Sequence, residues 1–326
     1  MLTHLNFKMC RLFKSYRSLI LIISCVLFLF AFILSIQSPI IYVRFEDIDS
    51  LLESKWQSDS DGMKPCHHKL MKHPSENRLE LVLNVTPGNL DALTQHVAHG
   101  GSWSPPHCRS KYHVNIIIPF RNRHWQLPTF LYHYHRFLML QEIEYHIIIV
   151  EQSEKKQFNR GKLFNIGFVE MERRYASDCY IFHDVDLMAA NLNNAYACTK
   201  LPRHMSSALD IFNFRVPYAT NFGGVVALTR QQFQLANGYS NSFYGWGAED
   251  DDFYFRVRRH MPIIRLEDAI AQYIALDHTH EEPNLLRETL LRQGPSQYAT
   301  NGLNSLNYTL LDFELKSLYT WMLVDL

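Results

Sequence analysis

The sequence predicts an α/β fold with a mostly parallel central sheet, and three observations support this prediction. Short apolar segments with the length of buried strands recur along the chain, segments with helical spacing separate them, and charged residues follow directly after several of the apolar segments. Strands that alternate with helices favour a layered architecture with a parallel sheet. Ligands of such sheets bind beyond the carboxyl ends of the strands, so the charged residues there are candidates for a site.

The individual elements follow from the apolar patterns. Strands are predicted at residues 79–85, 114–119, 145–150 and 180–182, because these runs are apolar and short. Helices are predicted at residues 127–140 and 164–175, where apolar residues recur with helical spacing.

The N-terminal region predicts a membrane anchor. Residues 19–36 are uncharged and strongly apolar, and their number lies near the lower limit of about 17–25 residues that span a bilayer as a helix. Basic residues precede the run and acidic residues predominate after it, which predicts a cytoplasmic N-terminus. The predicted division is a cytoplasmic tail at 1–18, a transmembrane signal anchor at 19–37, a polar stem at 38–65 and a luminal domain at 66–326. A cleaved signal peptide is the alternative, although a clean small-residue cleavage site is missing.

Charge, cysteines and sequons limit the function further. The 326 residues contain 32 basic and 32 acidic side chains, so no basic excess favours a nucleic-acid partner. Four cysteines of the predicted luminal part are compatible with two disulfides; spacing favours Cys66–Cys108 and Cys179–Cys198, although three pairings are possible. Candidate N-glycosylation sites are Asn84 and Asn307.

The first candidate site is Asp184-Val185-Asp186, which follows the strand predicted at 180–182. Two carboxylates two residues apart lie on the same side of an extended chain, and their oxygens suit Mg²⁺ or Mn²⁺. A metal there can neutralise a nucleotide diphosphate as it leaves. When the motif is considered alone, an ordinary solvated loop is the better explanation.

The second candidate is Gly245-Trp246-Gly247-Ala248, followed by the acidic run Glu249-Asp250-Asp251-Asp252. The glycines permit a movable loop, and the indole offers a flat face on which a sugar ring can stack. A carboxylate beside that face can take the proton of an acceptor hydroxyl. An exposed acidic turn is the alternative interpretation.

Three further segments add candidate ligands. His278 and His280 are two residues apart and can face one metal, although a surface pair is the simpler interpretation. Arg121 and Arg123 follow the strand at 114–119, and Arg160 opens a helix. Arginines at such positions suit a diphosphate, and Phe120 or Phe158 could contact a uracil ring.

Together, these segments resemble the β1,4-galactosyltransferase family. The matching motifs lie, in this order, at residues 118–123, 158–163, 183–187, 222–225, 245–252 and 302–306, and the resemblance covers residues 66–326. It implies a nucleotide-sugar-binding fold of the GT-A type, a single-pass type II protein of the Golgi membrane with a luminal catalytic domain, and the disulfides Cys66–Cys108 and Cys179–Cys198.

The resemblance also implies roles for individual residues. Asp250 would be the general base of a single displacement that inverts the anomeric carbon, and Asp186 would bind Mn²⁺. The implied site for the UDP-sugar donor consists of Pro119, Phe120, Arg121, Arg123, Phe158, Arg160, Asp184, Val185, Asn221, Gly224, Trp246 and Glu249. The implied acceptor site consists of Phe212, Tyr218, Trp246, Gly247, Asp250, Asp251 and Arg287.

Three positions depart from the family pattern. Ala275 stands where many members have a methionine ligand, so the predicted metal ligands are Asp186, His278 and His280. Asn221 stands where galactose-transferring members usually carry a tyrosine that crowds the 2-substituent of the donor sugar. Glu288 stands where members that accept GlcNAc often place an aromatic residue, which leaves the acceptor open.

The predicted function is therefore that of an inverting, Mn²⁺-dependent β1,4-N-acetylgalactosaminyltransferase, most like those of invertebrates. It would move GalNAc from UDP-GalNAc to a terminal GlcNAc of a glycoprotein or glycolipid. The alternatives are a galactosyltransferase that uses UDP-Gal on GlcNAc or xylose, and a sugar-binding relative without catalysis. A Golgi protein partner and a homodimer both stay open.

Overall fold

A computed structural model describes residues 40–52, 63–66, 77–279 and 281–326. The predicted tail and transmembrane anchor, together with His280, lie outside these residues. Within the described ranges, no helix is both long enough and apolar enough to cross a membrane.

The main sheet of the described chain has ten strands in the spatial order β1-β10-β7-β9-β5-β3-β4-β13-β12, and β2 pairs with β4. The strands are β1 (Ile41–Val43), β2 (Ser102–Trp103), β3 (His113–Phe120), β4 (Glu144–Gln152), β5 (Cys179–His183), β7 (Arg203–His204), β9 (Val225–Thr229), β10 (Ile264–Leu266), β12 (Thr309–Leu315) and β13 (Thr320–Asp325). A second sheet has the order β6 (Leu187–Ala189), β11 (Gln272–Ala275) and β8 (Ala208–Leu209).

Most neighbours in the main sheet run parallel, as the sequence predicts. β3 pairs parallel with both β4 and β5, and β13 pairs parallel with β4. β9 lies antiparallel to β5 and β7, and β12 lies antiparallel to β13. The sheet is therefore mixed with a parallel centre, and ligands of such sheets bind at the carboxyl edge of the parallel strands.

Helices cover both faces of the sheet. They are α1 (Ile48–Leu51), α2 (Pro87–Thr94), α3 (Leu127–Leu140), α4 (Arg160–Arg174), α5 (Arg230–Leu235), α6 (Glu249–Arg258) and α7 (Arg287–Gln297). Alternate residues of β3 enter different core clusters: Ile116 and Ile118 pack with α3, whereas Ile117 packs with α4. This alternation is what a strand buried on both faces requires.

Two predicted elements differ from the structure. The strand predicted at residues 79–85 is wrong, because no strand forms there and only the preceding residue, Arg78, makes an isolated bridge, to Asn191. Leu79 and Leu81 still pack against the core, so the apolar residues are buried without a strand ladder. The helix predicted at 164–175 begins earlier, at Arg160, because the Asn159 side chain caps it by accepting a hydrogen bond from the Lys162 amide at 2.9 Å.

Part of the predicted stem belongs to the folded unit. β1 pairs parallel with β10 at the edge of the main sheet, and Val43, Ile48 and Leu52 are buried. The apolar side chains of residues 41–52 supply this docking, although the segment is too short to show a clear period in the sequence.

Both predicted disulfides are present. Cys66 is bonded to Cys108, and Cys179, the first residue of β5, is bonded to Cys198. The second bond ties the central strand to the segment that leads into β7.

Candidate active site

The carboxyl edge of the parallel strands gathers most of the predicted donor residues. Arg121 follows β3, Asp184 follows β5, and Arg160 is the first residue of the helix that comes after β4. Adjacent parallel strands end at one edge of a sheet, so residues far apart in the chain meet there.

A buried ion network joins three of these residues. Arg160 donates from Nε to Asp184 Oδ1 at 2.5 Å and from Nη1 to Glu249 Oε1 at 3.4 Å. Its Nη2 donates to the Gly224 carbonyl at 3.3 Å. The side chains of Arg160, Asp184 and Glu249 are only 14%, 27% and 13% exposed. Such a site is preorganised, because its charges are fixed before a ligand enters.

Burial perturbs the titration of this network. Burial, together with the negative charge of Asp250, raises the pKa of Glu249 to about 7. Burial also raises the pKa of Asp184 to about 6, against the opposing attraction of Arg160. Burial alone would lower the pKa of Arg160, but the combined interactions with Asp184, Tyr239 and Glu249 outweigh burial and the pKa is raised. The arginine therefore stays charged, whereas burial makes the two carboxylates easier to protonate.

The four consecutive carboxylates that begin α6 have four different surroundings. Glu249 meets Arg160, Asp251 interacts with the Tyr218 hydroxyl, and Asp252 pairs with Arg256 at 2.5 Å. Asp250 lies against Gly223, where an added Cβ would come within 2.5 Å of Asp250 Oδ2. The helix turn separates charges that the sequence places side by side, and the positive end of the helix dipole further stabilises them.

The Trp246 loop connects the donor side to the segment before α7. The Gly245 amide donates to the Phe158 carbonyl at 2.8 Å, and the Trp246 amide donates to the Glu282 carbonyl at 2.9 Å. The Arg287 guanidinium lies 5.3 Å from the centre of the Trp246 ring. Gly247 has φ = 109°, and a side chain there would press on Arg287 Cδ at 3.2 Å. The indole itself is 51% exposed.

Two of the predicted metal ligands converge. Asp186 Oδ2 lies 2.7 Å from His278 Nδ1, and the Leu276 amide donates to the Asp186 carbonyl at 2.7 Å. The contact between Asp186 and His278 raises the pKa of His278. A carboxylate and an imidazole at one point fit Mn²⁺, and the third predicted ligand, His280, lies outside the described residues.

Elsewhere in the described ranges, one group of three potential ligands comes together, namely Cys66, Cys108 and Glu142. Both sulfurs belong to a disulfide, so they cannot act as thiolate ligands.

The arginines after β3 flank the same edge. Arg121 pairs with Glu281 at 3.0 Å and lies over the Phe158 ring at 5.2 Å. Arg123 donates to the Thr279 carbonyl at 2.8 Å, next to His278. Phe120 is only 1% exposed, and its neighbour Pro119 is also buried in β3. Of the two phenylalanines predicted to meet a uracil ring, Phe158 is therefore the more accessible.

The remaining predicted residues differ in their neighbours and in their burial. The Tyr218 hydroxyl interacts with the side chains of Asn221 and Asp251, and burial raises its pKa. Val185 is buried behind the two aspartates. Phe212 is 41% exposed and ends the 3₁₀ turn Asp210–Phe212, where Asp210 accepts a hydrogen bond from the Ala275 amide at 2.9 Å.

Sequence patterns missed several residues of this site. Glu281 binds Arg121. The Tyr239 hydroxyl, like Oε2 of the predicted residue Glu249, is buried and has no hydrogen-bond partner among the described residues. Tyr239 interacts electrostatically with Arg160 and Asp184. Only the tyrosine's position in a glycine-rich segment, Gly238 to Gly247, could have drawn attention to it.

The fold and the charged edge of the sheet are those of an α/β protein of the GT-A-like type. Two family profiles match the chain, one described as the N-terminal region of glycosyl transferase group 7 at residues 66–199 and one described as the N-terminal domain of galactosyltransferase at residues 203–279. The chain belongs to glycosyl transferase group 7, the β1,4-galactosyltransferase family.

Individual relatives agree with this assignment. Human β1,4-galactosyltransferase 1 is 41% identical over 252 residues, which cover 76% of this chain and 61% of the relative. Mouse β1,4-galactosyltransferase 4 is 38% identical over 254 residues, which cover 77% of this chain and 74% of the relative. The chain thus spans about three fifths of the first relative's length.

The structural comparison points the same way. The catalytic domain of Drosophila β1,4-galactosyltransferase 7 in complex with xylobiose has a TM-score of 0.57 and 26% identity, and the match covers 66% of this chain and 94% of that domain. A mutant of the same enzyme, in complex with manganese, UDP-Gal and xylobiose, matches equally well.

Proposed function

We propose that this protein is an inverting β1,4-glycosyltransferase that moves GalNAc from UDP-GalNAc to a terminal GlcNAc of a glycoprotein or glycolipid. One observation carries the transferase assignment. The arginine–carboxylate network of Arg160, Asp184 and Glu249 lies beside the Asp186–His278 pair, and the next residue of the same helix, Asp250, remains available as a base.

The donor residues have complementary tasks. Arg121 and Arg123 supply positive charge for the diphosphate, and the Phe158 ring offers a face for uracil. The unpartnered Glu249 Oε2 supplies an acceptor for a hydroxyl of the donor sugar. Asp186, His278 and His280 would hold Mn²⁺, which would supply charge neutralisation for the leaving diphosphate when bound.

Asp250 is the proposed general base. It would take the proton of the acceptor 4-hydroxyl as the oxygen attacks the anomeric carbon from the face opposite the UDP, so the configuration inverts. Tyr218, Asp251, Trp246, Gly247 and Arg287 would orient the acceptor, with Phe212 at the margin. The indole face would stack on its sugar ring.

Asn221 supports GalNAc as the transferred sugar. Its side chain is small and reaches the Tyr218 hydroxyl, which leaves room for a 2-acetamido group and offers that group an amide partner. A galactosyltransferase is the second candidate, and the names of the relatives favour it. Removing a steric block admits a larger donor without excluding the smaller one.

The cellular setting is part of the same proposal. We infer a type II protein of the Golgi membrane with the anchor at 19–37 and the catalytic domain in the lumen, which the charge asymmetry of the N-terminus supports. In the lumen both sequons become candidates for modification. Asn307 is exposed. Asn84 is also exposed, but the Thr86 hydroxyl of its sequon is engaged with Asn89 at 2.8 Å, and Pro87 follows it.

The test compares donors on the full-length chain. With Mn²⁺ and a GlcNAc-terminated acceptor, transfer from UDP-GalNAc and from UDP-Gal is measured for the wild type and for Asn221→Tyr. We expect the wild type to favour UDP-GalNAc and the variant to favour UDP-Gal, because the tyrosine ring would occupy the space of the acetamido group. Product linkage is determined by nuclear magnetic resonance.

Other results decide between the candidates. A wild type that prefers UDP-Gal would establish the galactosyltransferase candidate. Transfer to xylose rather than GlcNAc would overturn the acceptor assignment. If neither donor is used with either acceptor, the sugar-binding alternative replaces the catalytic one.

A further inference from the structure

A fully buried arginine lies behind the donor loop, which we define as residues 218–224. Arg265 is the middle residue of β10 and is 1% exposed. Its Nη2 donates to the carbonyl oxygens of Ala219 at 3.1 Å and Asn221 at 2.5 Å. These two carbonyl oxygens of the loop thus accept hydrogen bonds from a charged side chain. Charged donors make stronger hydrogen bonds than neutral ones.

A histidine extends this contact along the loop. Arg265 Nε donates to His204 Nδ1 at 3.1 Å, and His204 Nε2 lies 3.0 Å from the Gly223 carbonyl oxygen. Because Nδ1 accepts, Nε2 carries the proton and donates to Gly223. Burial and the charge of Arg265 lower the pKa of His204 to about 3, so the imidazole stays neutral.

Three alternate carbonyls of the donor loop are therefore fixed from one side. The loop's other surface carries Asn221 and Tyr218, whose side chains interact. Gly223 lies against Asp250, with an added Cβ only 2.5 Å from Oδ2. A shift of the loop would therefore move two groups together. They are the Asn221 side chain, which would select the donor, and Gly223, which lies next to the proposed base Asp250.

The segment at residues 41–52 completes the surroundings of Arg265. Tyr42 is its register partner in the β1–β10 pair, and Arg265 Nη1 reaches the Tyr42 hydroxyl at 3.4 Å. The segment is held on both sides, since the Glu267 amide donates to the Val43 carbonyl at 3.3 Å and the Lys200 amide donates to the Leu51 carbonyl at 2.9 Å.

We propose that Arg265 and His204 are positioning residues for donor selection, which hold the donor loop so that Asn221 faces the 2-substituent of the sugar, and that residues 41–52 are part of this support. The inference rests on the proposed function. A lysine cannot replace Arg265, because one ammonium group cannot reach the acceptors that the planar guanidinium fork reaches together.

The test compares two buried arginines in the full-length chain. Arg203 is also fully buried and also donates to two carbonyls, those of Ala195 and Ala197, away from the donor loop. The ratio of kcat/KM for UDP-GalNAc to that for UDP-Gal is measured for Arg265→Lys and Arg203→Lys, together with Tm. We expect Arg265→Lys to change the ratio about tenfold and Arg203→Lys to leave it within about twofold, even where both lower Tm.

A double-mutant cycle shows whether the effect passes through Asn221. In an Asn221→Ala background, Arg265→Lys should no longer change the donor ratio. An equal change of the ratio in both arginine variants, or an unchanged ratio in Arg265→Lys, would overturn the inference.

Milder variants keep the test decisive if Arg265→Lys does not fold. His204→Gln and Tyr42→Phe each remove part of the support and should shift the donor ratio by about two- to threefold in the same direction. A ratio unmoved in both contradicts the inference. A wild type that transfers neither sugar defeats the proposed function, whereas transfer with an unmoved ratio defeats only the positioning role.

Discussion

The proposed donor and acceptor halves of the site are built differently. In the donor half, the side chains of Arg160, Asp184 and Glu249 are 14%, 27% and 13% exposed. In the acceptor half, Tyr218 and Trp246 are 44% and 51% exposed. Substitutions in the donor half should therefore affect folding and activity together, whereas those in the acceptor half should affect activity alone.

The difference follows from how each half is held. The donor half lies at the ends of core strands, and its charges neutralise one another in a poorly solvated place, where an unpaired charge is costly. The acceptor half rests on backbone hydrogen bonds and on the Arg287–Trp246 contact, which water can replace.

The largest effect is expected for Arg160→Leu. The substitution leaves Asp184 and Glu249 without their shared cation, so we expect the free energy of unfolding to fall by about 3–5 kcal/mol and UDP binding to be lost. Urea unfolding and calorimetric titration with UDP measure the two effects. Arg287→Leu is the matched control in the acceptor half and should cost no more than about 1 kcal/mol. Equal losses in both variants would remove the contrast.

Asp250→Asn should separate chemistry from folding. An amide cannot accept the acceptor proton, so kcat should fall by about 10²–10⁴-fold while Tm stays nearly unchanged. Asp252→Asn is the control, because Asp252 is paired with Arg256 and is not the proposed base. It should lower stability by about 1–3 kcal/mol and preserve most of the kcat of the folded enzyme. If Asp252→Asn lowers kcat and Asp250→Asn does not, the assignment of Asp250 as the general base is wrong.

Acid should weaken the fold through the five buried histidines of the described chain. Burial lowers the pKa values of His183 and His204 to about 3. Burial lowers the pKa values of His133, His135 and His146 to about 4, from about 6.5 in the unfolded chain. Below pH 6.5 these histidines bind more protons in the unfolded chain, so their contribution to stability is complete above about pH 7 and is lost as the pH falls towards 4. Each histidine accounts for roughly 2 kcal/mol at pH 5.

Urea midpoints between pH 8 and pH 4.5 measure this dependence. His135→Gln should flatten the curve by about one histidine's share, even if it lowers stability at pH 8. A curve that keeps its full slope in this variant would rule out His135 as a contributor.

The smallest effect is expected at Trp246. Trp246→Ala removes a stacking face worth about 1 kcal/mol, so the acceptor KM should rise by about five- to tenfold, while UDP affinity and Tm change little. Trp246→Phe should restore part of the loss. If Trp246→Ala lowers Tm as much as Arg160→Leu does, the acceptor half is as much a part of the core as the donor half.

Much of the architecture was predictable from local pattern. The helix Leu127–Leu140 has its predicted bounds, the parallel centre of the sheet is confirmed, and both favoured cysteine pairs are bonded. The motifs that end β3 and β5 come together as predicted. The failure at residues 79–85 is also instructive, because an apolar run shows that side chains will be buried and does not show that the backbone will pair.

Sequence by itself therefore determined the elements, the family motifs and which charged residues lie at strand ends, because spacing along the chain sets which side chains share a face. Tertiary structure alone decided the partners of the buried charges. Arg265 stands in an apolar strand without any motif. Glu249 to Asp252 look alike in sequence, yet three of them have different partners and Asp250 lies against Gly223. A buried charge is stable only where distant backbone and side chains converge on it, and no local pattern records that convergence.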